Sequence, residues 1–218
     1  MKKIISLILT LTLAFSCFAV LTACGDEEED TSPTVYEIVK TSAPTKIVTM
    51  VTFVDANGED LGGTYTMQIQ GEDSIFEYEY RRYRTPEEGV AEGSTDPIKT
   101  VSGKVYYKDH LYSSSEGDEW DASATLSSDV KLDLQEAYLT SPTVSEDGTT
   151  LTATLTAENA LKVFGTDLSA NGDIAITVTT NGTNLTGIVL TCTTASGAEV
   201  IVRTSYSYNP IELVFPAE

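Results

Sequence analysis

Beyond residue 46 the chain alternates between apolar and polar positions with a period of two. Tyr65, Met67 and Ile69 are interleaved with Thr66, Gln68 and Gln70, and Phe76, Tyr78 and Tyr80 with Glu77, Glu79 and Arg81. The rhythm returns over 101–107, in Leu151, Ala153 and Leu155 among threonines, in Ile174, Ile176 and Val178, and in Val200, Val202, Thr204 and Tyr206. Successive side chains of a strand point to opposite faces, so the pattern predicts a mainly β chain of about nine or ten half-buried antiparallel strands. Asp55-Ala56-Asn57-Gly58, Gly71-Glu72-Asp73, Lys108-Asp109, Asn181-Gly182 and Ser196-Gly197 each separate two runs and predict hairpins. Asn181-Gly182 in particular matches a two-residue type I′ turn, which needs positive φ twice.

Two segments break this rhythm with helical spacing. Residues 157–164 end at Gly165 and follow Thr156, a suitable N-cap, which predicts a short helix. Val130, Leu134, Ala137 and Tyr138 share one helical face over 129–139, ahead of Ser141-Pro142, and predict a second. A weaker pattern over 35–41, before Pro44, predicts a third. Residues 85–97 form an acidic stretch without periodicity, either a mobile lid or a solvated excursion between strands; the sequence does not choose, and base rates favour the excursion.

The amino terminus is of another kind. Lys2 and Lys3 precede an apolar, small-residue run over 4–21 that ends in Leu21-Thr22-Ala23-Cys24-Gly25. Charge, length and exit residues predict a signal peptide over 1–23. The L-T-A-C ending resembles a bacterial lipobox, which implies diacylglycerol on Cys24 and a protein lipid-anchored to the cell membrane on its extracytoplasmic side. The alternative of an uncleaved spanning segment is weakened by Thr10, Thr12, Ser16, Cys17 and Thr22, which dilute the run. Residues 24–34, acidic and containing a proline, are expected to be a tether, leaving 35–218 as one β-rich domain. With Cys17 removed and Cys24 lipidated, Cys192 has no disulfide partner, and its parity with Ile188 and Leu190 makes it a buried, inert core thiol.

Charge and composition narrow the chemistry. Thirteen Lys and Arg against 33 Asp and Glu give a net charge of −20, which repels a phosphate backbone and excludes nucleic acid as a partner. The single histidine, His110, flanks a predicted hairpin tip; a triad with Ser113, Ser114 or Ser115 lacks a nucleophile elbow, since no G-x-S-x-G occurs. Ser128-Asp129-Val130-Lys131 and Ser169-Ala170-Asn171 match S-x-x-K and S-x-N, but no K-T-G element follows them. A zinc site has too few nitrogen and sulfur ligands. Glu116, Asp118, Glu119 and Asp121 crowd around Trp120, and Asp55, Asn57 and Gly58 resemble half of a calcium loop without its distal glutamate. No metal, cofactor or catalytic residue is therefore assigned. Asn181 and Asn184 begin glycosylation-type triplets that turn chemistry explains as well.

The aromatic residues cluster. Phe76, Tyr78 and Tyr80 share one strand face, and Tyr107 and Trp120 follow, so neighbouring strands would present a continuous aromatic surface. The face of Phe76, Tyr78 and Tyr80 is expected to lie under the helices, where it either packs as a filled core or lines a pocket for an acyl chain or similar ligand.

The order of elements resembles the lipoprotein-carrier (LolA-like) family and its tethered LppX and LprG type relatives. The matching features are the lipobox, the start Ala43-Pro44-Thr45-Lys46-Ile47-Val48, the pair Gly103-Lys104-Val105-Tyr106-Tyr107-Lys108-Asp109 and Leu111-Tyr112, the Trp120 segment, the 157–165 helix, and closing strands ending in Tyr206-Ser207-Tyr208-Asn209. The resemblance implies a strongly curved half-barrel with two or three short helices on its concave face, a cavity between sheet and helices, and no catalysis. The resemblance transfers no individual binding residue; the aromatic clustering makes Phe76, Tyr78, Tyr80, Tyr107 and Trp120 the expected ligand-binding residues. The threonine-rich faces of the carboxy-terminal strands imply that any cavity is small. The alternative expectation is an envelope-anchored interaction module with a filled core, meeting a partner protein through its sheet edges or acidic loop.

Overall fold

The computed structural model describes residues 33–88, 97–108, 111–114, 132–165 and 170–216. Ten strands form one antiparallel sheet: β1 (Lys46–Phe53), β2 (Gly63–Gln70), β3 (Asp73–Tyr83), β4 (Ile98–Lys108), β5 (Leu111–Ser114), β6 (Thr140–Val144), β7 (Thr150–Leu155), β8 (Ile174–Thr180), β9 (Leu185–Thr193) and β10 (Glu199–Ser207). Their order is β5-β4-β3-β2-β1-β10-β9-β8-β7-β6, the open, mainly β sheet expected of a half-barrel. Consecutive strands are neighbours in two runs, and the runs join where β1 pairs with β10, from Lys46 opposite Ser207 to Phe53 opposite Val200. The first and last strands thus make the central seam.

Register divides the side chains as the alternation predicts. Ile47, Met67, Phe76 and Tyr206 lie on one face, with Val51, Val202, Leu190, Ile176 and Ala153 in line with them. This face carries the core and the two α-helices of the described residues. Helix α1 (Val35–Thr41) begins at a capping box: the Glu37 amide donates to Thr34 Oγ1 at 3.3 Å while the Thr34 amide donates to Glu37 Oε2 at 2.8 Å. Helix α2 (Ala157–Phe164) begins where the Asn159 amide donates to Thr156 Oγ1 and ends at Gly165, whose φ of 65° is a left-handed C-terminal cap. Both helices lie over β7–β9, and beneath them Leu151, Leu155, Ile174, Ile176, Val178 and Leu185 are essentially without solvent contact. Side chains this inaccessible leave no water-sized space around them, so the helix-covered part of the core is filled.

The opposite face is partitioned by charge. Across β6–β9 it carries Thr143, Thr152, Thr177, Thr179 and Thr191 with no ionised group at its paired positions, whereas across β3 and β4 it carries Asp73, Glu77, Glu79, Arg81, Lys104 and Lys108. The tail after β10 runs to this charged side. The Leu213 amide donates to Gln70 Oε1 at 3.3 Å, and the Phe215 ring sits 6.3 Å from that of Tyr106.

Three expectations change. The helix over 129–139 is not formed among its described residues: Leu132 and Leu134 are both buried with Asp133 between them, an extended pattern, and only Glu136–Tyr138 makes a 3₁₀ turn. The Asp133 amide donates to the Val163 carbonyl at 3.0 Å, so docking against α2 replaces the helix's own hydrogen bonds. Asn181-Gly182 is not a two-residue turn. Only Gly182 has positive φ, and Asn181 Oδ1 accepts from the Thr183 and Asn184 amides in a four-residue loop. Cys192 lies on the core side but half-buried, toward the end of β9. Burial pushes its thiol up, which keeps the unreactive protonated form dominant.

Ser42 fastens α1 to the sheet. Buried at the end of the helix, its hydroxyl donates to the Ile38 carbonyl at 2.6 Å and accepts from the Leu185 amide at 3.0 Å. Beside it the Tyr208 hydroxyl donates to the Leu185 carbonyl at 2.8 Å. Ser42→Ala is expected to strand the Leu185 amide in a buried position and to lower stability by about 1–3 kcal/mol, read as the shift of the urea midpoint at constant slope.

Candidate functional site: an aromatic ladder on the core face

Beyond the strands touched by the helices, the core face continues onto β2–β4 as a ladder of rings. Tyr65 of β2 stacks on Phe76 and Tyr80 of β3 at centroid distances of 6.4 and 6.3 Å, and Tyr78 stands 5.9 Å from Phe76 and 6.0 Å from Tyr80. These separations suit offset and tilted ring pairs, which add a modest preference to the area they bury. Two rings are sealed and two are not: Tyr65 is 3% and Phe76 5% exposed, while Tyr78 and Tyr80 are only half-buried. Burial, with Tyr80 adding to it, holds the Tyr65 hydroxyl well above its ordinary pKa, so it stays protonated.

Glycines make room for the two open rings. Tyr78 faces Gly103 of β4, and Tyr80 faces Gly63 of β2. A Cβ on Gly103 would run into the Tyr78 ring and hydroxyl, so the ring lies across the space a side chain would fill. A Cβ on Gly63 would come within 2.6 Å of Tyr80 Cβ and the Glu79 carbonyl, so β2 and β3 approach closely there.

Of the residues expected to bind a ligand, Phe76, Tyr78 and Tyr80 come together on the core face. Tyr107 pairs with Ser74 on that same face and is half-buried, two residues beyond the Val105 that faces Phe76. Trp120 and the lipidation candidate Cys24 fall outside the described residues, as do His110, the Glu116 to Asp121 acidic group, Ser128, Lys131, Ser169 and 89–96. The helices expected above the ladder sit instead on β7–β9. Tyr65, which is not among the expected binding residues, is the hub of the ladder through its opposition to Tyr78 across β2 and β3.

Polar groups close one end. On the ladder face, two residues beyond Tyr80, Arg82 pairs with Lys99 of β4. Both cations meet one carboxylate: the Arg82 guanidinium donates to Glu88 Oε2 at 2.7 Å and Oε1 at 2.6 Å, and Lys99 Nζ donates to Oε1 at 2.9 Å. The Thr85 amide adds a bond to Oε2 at 2.9 Å. Arg82 first, then Lys99 and the Thr85 amide, hold the Glu88 carboxyl far below the usual 4.5. A carboxyl lowered by folding stabilises the fold above its unfolded-state pKa and loses that contribution as pH falls through the folded-state value. Glu88→Gln is therefore expected to be less stable than the parent chain at pH 7. The gap should hold down to about pH 5, narrow below 4.5 and close in strong acid, which urea titrations at successive pH values would show.

Elsewhere the Asp55 to Gly58 tip is explained by hydrogen bonds within the chain. Asp55 accepts from the Asn57 and Glu59 amides at 2.8 and 3.0 Å and from the Tyr83 hydroxyl at 2.5 Å. On the outer face a depression of about 270 Å³ lies over Gly62 and Gly63, rimmed by Met50, Asp60, Glu79 and Arg81. It is shallow, of mixed polar and apolar lining, and lies on the opposite side of the sheet from the ladder. Among the described residues no group of His, Cys, Asp and Glu is arranged to hold a metal ion, and no helix is long and apolar enough to cross a membrane.

No family model matches the chain, and no curated protein matches it. Among solved structures it is similar to LprF from Mycobacterium bovis, at 13% identity and a TM-score of 0.48, over 84% of this chain and 97% of that one.

Proposed function

We propose that the protein is an extracytoplasmic lipoprotein, anchored through Cys24, that binds an apolar or amphiphilic ligand along the β2–β4 ladder without catalysing a reaction. The observation that carries the reading is the unequal burial of the four rings: Tyr65 and Phe76 form a sealed floor, while Tyr78 and Tyr80 present half-open faces at the end of the core. Large aromatic surfaces beside a few hydroxyl groups are the usual lining of a site for an apolar chain with a polar end. The filled core beneath α1 and α2 restricts such a ligand to the ladder half of the sheet.

Native mass spectrometry of residues 25–218, expressed without the lipid anchor, tests this. The expected result is a co-purifying ligand whose occupancy falls in Tyr78→Ala. A clean protein mass from several hosts, together with no binding of a fluorescent fatty acid, would overturn it.

The filled core also favours a second reading, an anchored interaction module without a ligand. Its simplest form, addition of a partner strand at a sheet edge, meets an obstacle at β6. That edge strand contains Pro142, a positive φ of 50° at Ser141 and a register shift between Thr140 and Thr143, all of which interrupt the row of groups a new strand would pair with.

A further inference from the structure

The Arg82, Lys99 and Glu88 cluster stands at one end of the ladder in a chain whose net charge is −20. From Phe76 to Arg82 the strand covers about 20 Å, a length comparable to that of a long acyl chain, and along it the side chains on this face change from ring to ring to cation. The Tyr80 hydroxyl adjoins the Arg82 guanidinium, so the last ring and the first cation are in direct succession. Among the described residues two cations share this single carboxylate, so these three groups carry one positive charge in excess.

Glu88 satisfies the guanidinium in the two-pronged manner that any carboxylate or phosphate adopts on arginine. It is carried by a short 3₁₀ turn, Pro86–Glu88, outside the sheet, whereas Arg82 and Lys99 are fixed in the β3–β4 ladder. The cations are built into the frame and their anion is not.

We propose that Arg82 and Lys99 are the headgroup site of the ladder, that they select amphiphiles ending in a carboxylate or phosphate, and that Glu88 occupies the site in the ligand's place until such a group displaces it. This rests on the ligand-binding reading of the ladder and gives it a polarity: chain toward Phe76, oxyanion toward Arg82.

The probes are cis-parinaric acid and its methyl ester, which share a chain and differ in charge. The parent protein is expected to bind the acid more tightly than the ester. Glu88→Gln, which removes the competing carboxylate, is expected to tighten the acid about tenfold and leave the ester unchanged. Arg82→Gln should abolish the preference for the acid while ester binding persists. If that variant fails to fold, Lys99→Gln, at a more exposed position, should reduce the same preference. Dodecanoate and dodecyl phosphate are both expected to displace the acid, and the stronger competitor identifies the natural head. Equal binding of acid and ester in the parent and in Glu88→Gln would overturn the headgroup site while leaving the ladder as a binding surface. Failure of both probes to bind would overturn the ladder reading and this inference with it.

Discussion

Phe164→Ala is expected to lower the stability of the domain by about 3–5 kcal/mol, the usual cost of removing a packed aromatic ring from a core that cannot collapse around the void. The ring is 1% exposed and is the largest of the fully buried side chains among the described residues. It closes the last turn of α2, whose Val163 carbonyl also anchors the incoming chain at Asp133. Loss of the ring therefore loosens the helix, the strand β7 beneath it and the crossing segment together. Urea unfolding followed by circular dichroism measures the effect as a lower midpoint with an unchanged slope. A cost near 1 kcal/mol would mean that the core around α2 relaxes and is less rigid than its burial indicates.

The second large effect is expected at Gly62. A Cβ placed there would collide with the backbone carbonyl of Val51, and that oxygen has no rotamer through which to retreat. Gly62→Ala must therefore push β1 away from the start of β2, where the Leu61 amide donates to the Phe53 carbonyl at 2.8 Å and the Arg81 amide to the Gly62 carbonyl at 3.0 Å. Overpacking of this kind costs about 1–3 kcal/mol and more when backbone is the obstacle, so the midpoint should fall measurably. Gly103→Ala provides the contrast, because the atoms it would meet belong to the Tyr78 side chain, which can swing aside. Its smaller stability loss should come with weaker ligand binding.

The strands were readable because one face of each is buried and the other is not. Ile174, Ile176 and Val178, all buried, alternate with Ala175 and Thr177, so period two survives folding intact. Helix α2 was readable for a local reason, a threonine cap at one end and a glycine at the other. Helix α1 carried an equally local signal, Thr34 three residues ahead of Glu37, which identifies its start more firmly than its weak apolar spacing does. The 129–139 segment misled because its leucines satisfy two periods: Leu134, Ala137 and Tyr138 suit a helix, while Leu132 and Leu134 suit an extended chain, and contact with α2 decided between them. The placement of Phe76, Tyr78 and Tyr80 followed from parity alone. What parity does not contain is the position of the helices across the sheet, and so the expectation that they cover the ladder failed. The Arg82 and Glu88 pairing depends on a fold-back of residues 84–88 that no short motif announces, and the role of Tyr65 depends on a register that no single strand encodes.

The pairing of β1 with β10 has a consequence for how the chain matures. A polypeptide delivered from its amino terminus offers each hairpin of the β1–β5 run to its neighbour as soon as it emerges, and the β6–β10 run does the same later. Among the described strand pairs only the seam joins strands that are far apart in sequence, as in the hydroxyl contact between Thr49 and Thr204, 155 positions distant. Until β10 is available, one long side of β1 has no mate, and the strands make two separate half-sheets with raw flanks. The two halves of the sheet therefore close last, and the interval before closure is when the unpaired flank of β1 is most open to misassociation.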